Sequence, residues 1–145
     1  MIQKKTGLIG LSLLILIANV EIAASDLKVS SVEEAVVIAQ KAPPEGTKGV
    51  FRIKVRGAYR TPKVIFLNSS KKFREQDNVT VVVTRAAILQ FREKYGKDID
   101  EYFYHKKITV AGKIKVEKVF EHGHDGQYFF NNRIWVTSID QIKNL

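Results

Sequence analysis

The sequence predicts a mainly β domain: a five-stranded barrel with one helix between its third and fourth strands and an additional helix ahead of the first. Three observations carry that prediction. Apolar residues recur with a period of two in stretches separated by turn-forming residues, the mark of strands with one buried face. A single strong helical stretch interrupts the strands after the third of them. The two longest strands each carry a glycine, Gly57 and Gly112, where a small barrel has to coil sharply.

Ahead of the strands, residues 31–40 read as a helix. Ser31 followed by Glu34 fits a capping box, and Val32, Ala35, Val36 and Ala39 line one face at helical spacing. Pro43, Pro44 and Gly46 then stop it. In the first strand Val50, Phe51, Ile53 and Val55 are apolar, while Arg52, Lys54 and Arg56 point the other way. After Gly57, a turn around residues 58–62 leads to the second strand, Val64–Leu67, which runs into Asn68, Ser69 and Ser70. Residues 71–77 form a charged loop, and Val79–Thr84 is a third strand rich in β-branched residues. Thr84 can cap the helix, whose stripe of Ile88, Phe91 and Tyr95 ends at Gly96. Residues 97–105 are a connector with Ile99, Tyr102 and Phe103 as packing residues. In the fourth and longest strand Ile108, Val110, Ile114 and Val116 alternate with Thr109, Ala111, Lys113, Lys115 and Glu117. A polar loop, residues 121–132, precedes the last strand, Ile134–Val136, and residues 138–142 form a terminal helical turn.

Three meandering strands, a helix and a closing pair make the OB-type arrangement, with a mixed α+β sheet as the alternative. The expected organisation is a leader at 1–25, an N-terminal helix and linker at 26–48, and an OB-fold domain at 49–145. The segment Tyr102-Phe103-x-x-Lys106-x-Ile108-x-Val110-x-Gly112-x-Ile114, with Phe66-Leu67-Asn68-Ser69 before it and Ile134-Trp135-Val136 after it, resembles the OB-fold domains of small secreted bacterial proteins. The resemblance spans roughly residues 49–142 and implies a barrel of nucleic-acid-binding-like type; it speaks to fold more than to activity. Where such proteins tend to have glycine before the lysine of the fourth strand, this chain has His105. It lacks the clustered acidic metal ligands and arginines of the thermonuclease type, so that activity is not implied.

The N-terminus reads as a cleavable export leader. Lys4 and Lys5 precede an uncharged apolar run, Leu8–Ala18, and Ala23-Ala24-Ser25 place small residues before a cut at Asp26. The run is shorter than the roughly 20 apolar residues of a spanning helix. The chain is thus expected to be periplasmic or secreted. Its formal net charge is +9, and it has no cysteine, which excludes thiol catalysis, thiolate metal sites and a lipid anchor on a processed cysteine. Surplus positive charge favours polyanions without choosing among nucleic acid, acidic polysaccharide and anionic lipid.

The first candidate site is a polyanion-binding surface. Arg52, Lys54 and Arg56 alternate on one strand, and Lys113 and Lys115 on the strand expected to pair with it. The loops that frame such a groove offer Tyr59 and Arg60 on one side and Tyr128, Phe129 and Phe130 on the other, suiting single-stranded nucleic acid. The competing reading is a solvated outer face. The motif His122-Gly123-His124-Asp125 has metal-binding residue types but no third fixed ligand, so a solvated loop is expected and no cofactor or metal is assigned. Asp98, Asp100 and Glu101 read as surface ion pairs with Lys94, Lys97 and Lys106. Asn68-Ser69-Ser70 and Asn78-Val79-Thr80 match the N-glycosylation pattern by chance. There is no nucleophile elbow and no phosphate-cradling glycine loop, so no enzyme is expected. The rival to nucleic-acid binding is a module that contacts an envelope protein or an acidic surface polysaccharide, with the barrel as scaffold.

Overall fold

The computed structural model describes residues 27–144, and the leader expected at residues 1–25 lies outside them. In chain order the elements are β1 (Val29–Ser30), α1 (Val32–Lys41), β2 (Thr47–Lys54), β3 (Gly57–Arg60), β4 (Val64–Asn68), β5 (Val79–Thr84), α2 (Arg85–Tyr95), α3 (Ile99–Phe103), β6 (Lys107–Phe120), β7 (Tyr128–Val136) and a 3-10 turn, Ile139–Gln141. The strands form one seven-stranded sheet in the order β1-β2-β6-β7-β5-β4-β3. It is mixed: β1 runs parallel to β2 and β5 parallel to β7, the other pairs being antiparallel.

This corrects the closed five-stranded barrel expected from the sequence. The main cause lies between Lys54 and Gly57, within what reads as one long first strand. Val55 still follows the β6 side, its N–H donating to Lys106 O at 2.9 Å, but the next N–H, of Arg56, donates to Asn68 O of β4 at 2.8 Å. The chain therefore changes partners within two residues, and its halves, β2 and β3, stand far apart in the pairing order of an open sheet. A short strand ahead of α1 adds a further member beside β2.

The single helix expected after the third strand is also two helices. Gly96 takes a left-handed conformation (φ 61°) that ends α2, and α3 forms from the residues expected to be a connector. Thr84 sits at the N-cap of α2 with an extended backbone, but its hydroxyl makes no capping bond. At α1 half of the expected capping box is present: Ser31 Oγ accepts from Glu34 N at 3.2 Å, while the Glu34 carboxylate pairs with Lys28 at 3.0 Å.

One continuous core fills the inner face of the sheet. Phe51, Ile53, Ile65, Leu67, Val81, Val83, Ile108, Val110, Ile114, Ile134 and Val136 are fully buried there. Each such side chain contributes about 1.5–3 kcal/mol relative to remaining exposed. Helix α1 enters the core through Ala35 and Ala39, small residues that let its backbone approach closely; α2 and α3 supply Ala87, Phe91, Ile99 and Phe103. The Phe51 ring needs Gly49: a Cβ there would lie 2.5 Å from Cζ of that ring. Val116, expected on the core face, is exposed, because β6 runs on past the core to Phe120.

Candidate nucleic-acid interface

The face of the sheet that points away from the core carries two adjoining rows of side chains. The β-ladder sets Trp135 of β7 opposite Val82 of β5, Val82 opposite Phe66 of β4, and Phe66 opposite Tyr59 of β3. Directly opposed side chains in a ladder share a face, so these four form one row. Tyr59 and Phe66 stack, with ring centroids 6.3 Å apart and planes within 19°. Tyr59 is 65% exposed and Trp135 39%, whereas Val82 between the aromatics is buried. The neighbouring row is polar: Lys115 opposite Arg133, then Thr80, then Asn68.

Glu117 ties the two rows together. Its carboxylate accepts the Trp135 indole N–H at 2.8 Å and lies 3.5 Å from the Arg133 guanidinium and 3.8 Å from Lys115 Nζ. The Arg133 guanidinium also sits 5.3 Å over the Phe66 ring, a cation–π distance. Burial lowers the Arg133 pKa from its ordinary value, and the Glu117 carboxylate works in the opposite direction. Arg133 Nε is buried and has no hydrogen-bond partner among the described residues. The result is an oriented cation held against an aromatic, beside a row of rings with exposed edges.

Of the residues expected to bind polyanions, the structure gathers some and separates others. Arg52, Lys54, Lys113 and Lys115 all lie on outward positions of β2 and β6. Arg52 faces Thr109 with Nε 3.4 Å from its hydroxyl, Lys54 faces Lys107, and Lys113 faces Lys48. Arg56 is exposed at the crossing from β2 to β3. Tyr59 joins the aromatic row. Arg60 does not join it: its guanidinium is bound to Asp100 through two nitrogens and lies 3.5 Å from Asp98. Donating to the Asp100 carboxylate raises the Arg60 pKa further. Tyr128 lies on the opposite face of the β6–β7 hairpin from Arg133 and Trp135, because alternate residues of a strand face opposite ways. Its neighbours are Lys118, Phe120 and Phe130.

No family model and no curated protein matches this chain. The functional reading therefore rests on the geometry of these rows.

Phe66, Trp135 and Arg133 are members of this site that composition and motif did not single out. A signal was present: Phe66 stands between the core residues Ile65 and Leu67, and Trp135 between Ile134 and Val136, so strand parity alone turns both rings outward. The acidic cluster takes different partners from those expected. Asp98 accepts from Arg92 Nη2 at 2.8 Å, and Asp98 and Asp100 also hold Arg60, in place of the expected lysines. Asn78, within a glycosylation-like triplet, is fully buried and so closed to a glycan in the folded state. His122 and His124 are exposed at the hairpin tip, and no group of three or more metal-ligating side chains forms among the described residues.

Proposed function

We propose that the protein is a non-enzymatic binding module that holds a polyanion, single-stranded nucleic acid foremost, on the outward face of its sheet. The observation that carries this reading is the row Tyr59–Phe66–Val82–Trp135 beside Lys115 and Arg133. Adjacent strands are about 4.8 Å apart, so the row spans roughly 15 Å across the sheet, room for successive bases of an extended strand. Bases stack on exposed rings without regard to sequence, while lysines and arginines meet the phosphates. Arg52 and Lys54 on β2, Lys113 and Lys115 on β6, and Arg56 at the crossing to β3 extend the cationic surface beyond the row. An acidic polysaccharide would meet the same cations but has no base to stack on the rings.

Trp135 is the sole tryptophan of the chain and so reports on its own site. Titration with a single-stranded oligonucleotide is expected to quench its fluorescence, and heparin at matched charge is expected to leave it largely unchanged. Tyr59→Ala should weaken oligonucleotide binding by about 1–3 kcal/mol, the usual contribution of one stacked base. Equal binding of heparin and oligonucleotide, with no quenching by either, would show a generic basic surface and favour the polysaccharide or envelope-partner reading. Cleavage of labelled DNA or RNA in calcium, magnesium or zinc would overturn the non-enzymatic assignment. Export to the periplasm or medium is part of the same proposal. It rests on the charged start, apolar run and small residues of positions 1–25, and the N-terminal mass of the purified protein tests it.

A further inference from the structure

Beyond the binding face, the β6–β7 hairpin carries a second surface that the proposed function does not use. Beyond the Val116–Asn132 pair, the ladder continues to Phe120–Tyr128, without the flanking strands β2 and β5. Four further residue pairs at about 3.4 Å each make a projection of roughly 14 Å before the loop begins. The two faces of this projection differ. On one, Phe129 is covered by Phe73 (ring centroids 5.6 Å apart), and Arg74 bridges from there to Glu121 at 2.8 Å. On the other, Phe120, Tyr128 and Phe130 are 64%, 50% and 55% exposed, with Val116 beside them.

Lys118 stands in the middle of that bare face. Its ammonium lies 3.9 Å from the Tyr128 ring centroid and 5.1 Å from that of Phe120, and it pairs with no carboxylate among the described residues. The rings meet edge to face, Phe120 with Tyr128 at 6.2 Å and Tyr128 with Phe130 at 5.7 Å. Their faces are thus partly taken by the cation and by each other, which leaves a poor platform for stacked bases. The surface is also on a projection, whereas a peptide partner is usually held in a groove. Aromatic rings flanking a lysine that can extend to the headgroups is the composition favoured at a lipid–water interface.

We propose that this hairpin face docks on an anionic lipid surface, with Phe120, Tyr128 and Phe130 entering the headgroup region and Lys118 meeting lipid phosphates. The net charge of +9 brings the molecule to such a surface, and the rings hold the hairpin there. This proposal is independent of the oligonucleotide reading, because the two use opposite faces.

The cysteine-free chain allows a single polarity-sensitive label to be placed at will. In the full-length protein, Gln127→Cys carries the label at the hairpin and Glu93→Cys, exposed on α2, carries it elsewhere. Phosphatidylcholine vesicles containing phosphatidylglycerol should shift the label at 127 to an apolar signal and leave the label at 93 unchanged. Replacing Phe120 and Phe130 by Ser should abolish the shift, and Lys118→Glu should weaken vesicle partitioning about tenfold while preserving the rings. All five positions are exposed, so circular dichroism should match the parent. The proposal fails if the label at 127 stays in water while the protein sediments with vesicles, or if the aromatic variant gives the parental shift. A response at 127 to oligonucleotide or to a soluble protein, with none to vesicles, would also overturn it.

Discussion

A single amide organises the polar end of the β4–β5 hairpin. Asn78 is fully buried, and its Nδ2 donates to Thr80 Oγ1 at 2.9 Å, Phe73 O at 3.2 Å and Asn68 Oδ1 at 3.3 Å. Its Oδ1 accepts from Ser70 N at 3.0 Å and from Ser69 Oγ at 3.3 Å. These bonds pin the charged loop to the sheet, together with Asn131 Nδ2, which donates to the same Phe73 carbonyl at 3.0 Å. Asn78→Ala leaves several buried donors and acceptors without partners, each costing about 1–3 kcal/mol. Bonds shared with Asn131 and Thr80 soften the loss, so urea denaturation should report about 2–4 kcal/mol of destabilisation in total. A loss below about 0.5 kcal/mol, the usual scatter of a surface change, would mean that water replaces the amide.

Among elements, the corner where α2, α3 and β3 meet is held by charge. Gly96 ends α2, and the Asp98 side chain, placed at the N-cap of α3, makes no capping bond there. It serves Arg92 and Arg60 instead, which links α2 to β3 across α3. The hydrogen bond from Arg92 lowers the Asp98 pKa below 3.8, with the charges of Arg60 and Arg92 acting the same way and desolvation opposing them. A carboxylate whose folded pKa is depressed binds protons less readily than in the unfolded chain. Its stabilising contribution is therefore complete above its unfolded value of 3.8 and is lost as pH falls through the lower folded value. Between pH 3.8 and that lower value the acid limb of a melting-temperature profile should be shallower in Asp98→Asn than in the parent, and the two should run parallel at neutral pH. Because the pair is open to solvent, 1 M salt should narrow the difference.

For the whole molecule, the distribution of charge makes a prediction that no single contact does. Arg52 and Lys54 project from β2, Arg56 is exposed where the chain crosses from β2 to β3, and Lys113 and Lys115 project from the neighbouring β6. If an oligonucleotide runs over this face, each phosphate contact releases counterions. The slope of log Kobs against log salt should then fall by about 0.7 for each cation removed. Replacing Arg52, Lys54 and Arg56 together with Ser should make the slope shallower by about 2 while Trp135 quenching at saturation persists. An unchanged slope would remove β2 from the interface and leave the aromatic row and β6 to account for binding.

The residues themselves determined much of this molecule. Period-two patterning located β2 and the core half of β6, an apolar run located β4, β-branched residues located β5, the helical spacing of Val32, Ala35, Val36 and Ala39 located α1, and Gly96 marked the end of α2. Parity also fixed that Arg52, Lys54, Lys113 and Lys115 face away from Phe51, Ile108 and Ile114, because alternation is local and needs no partner. Three things depended on distant partners, and so only the tertiary structure decided them. Val55 and Arg56 carry no mark that the strand changes neighbours there, since that depends on where the Asn68 carbonyl arrives. Tyr128 and Phe130 read as loop residues, because nothing local shows that β6 continues unsupported to Phe120 and carries β7 with it. Arg60 is indistinguishable in sequence from the cations before it, yet α3 brings Asp98 and Asp100 to it from across the chain. Periodicity reports which way a side chain faces; only the assembled sheet reports what it meets there.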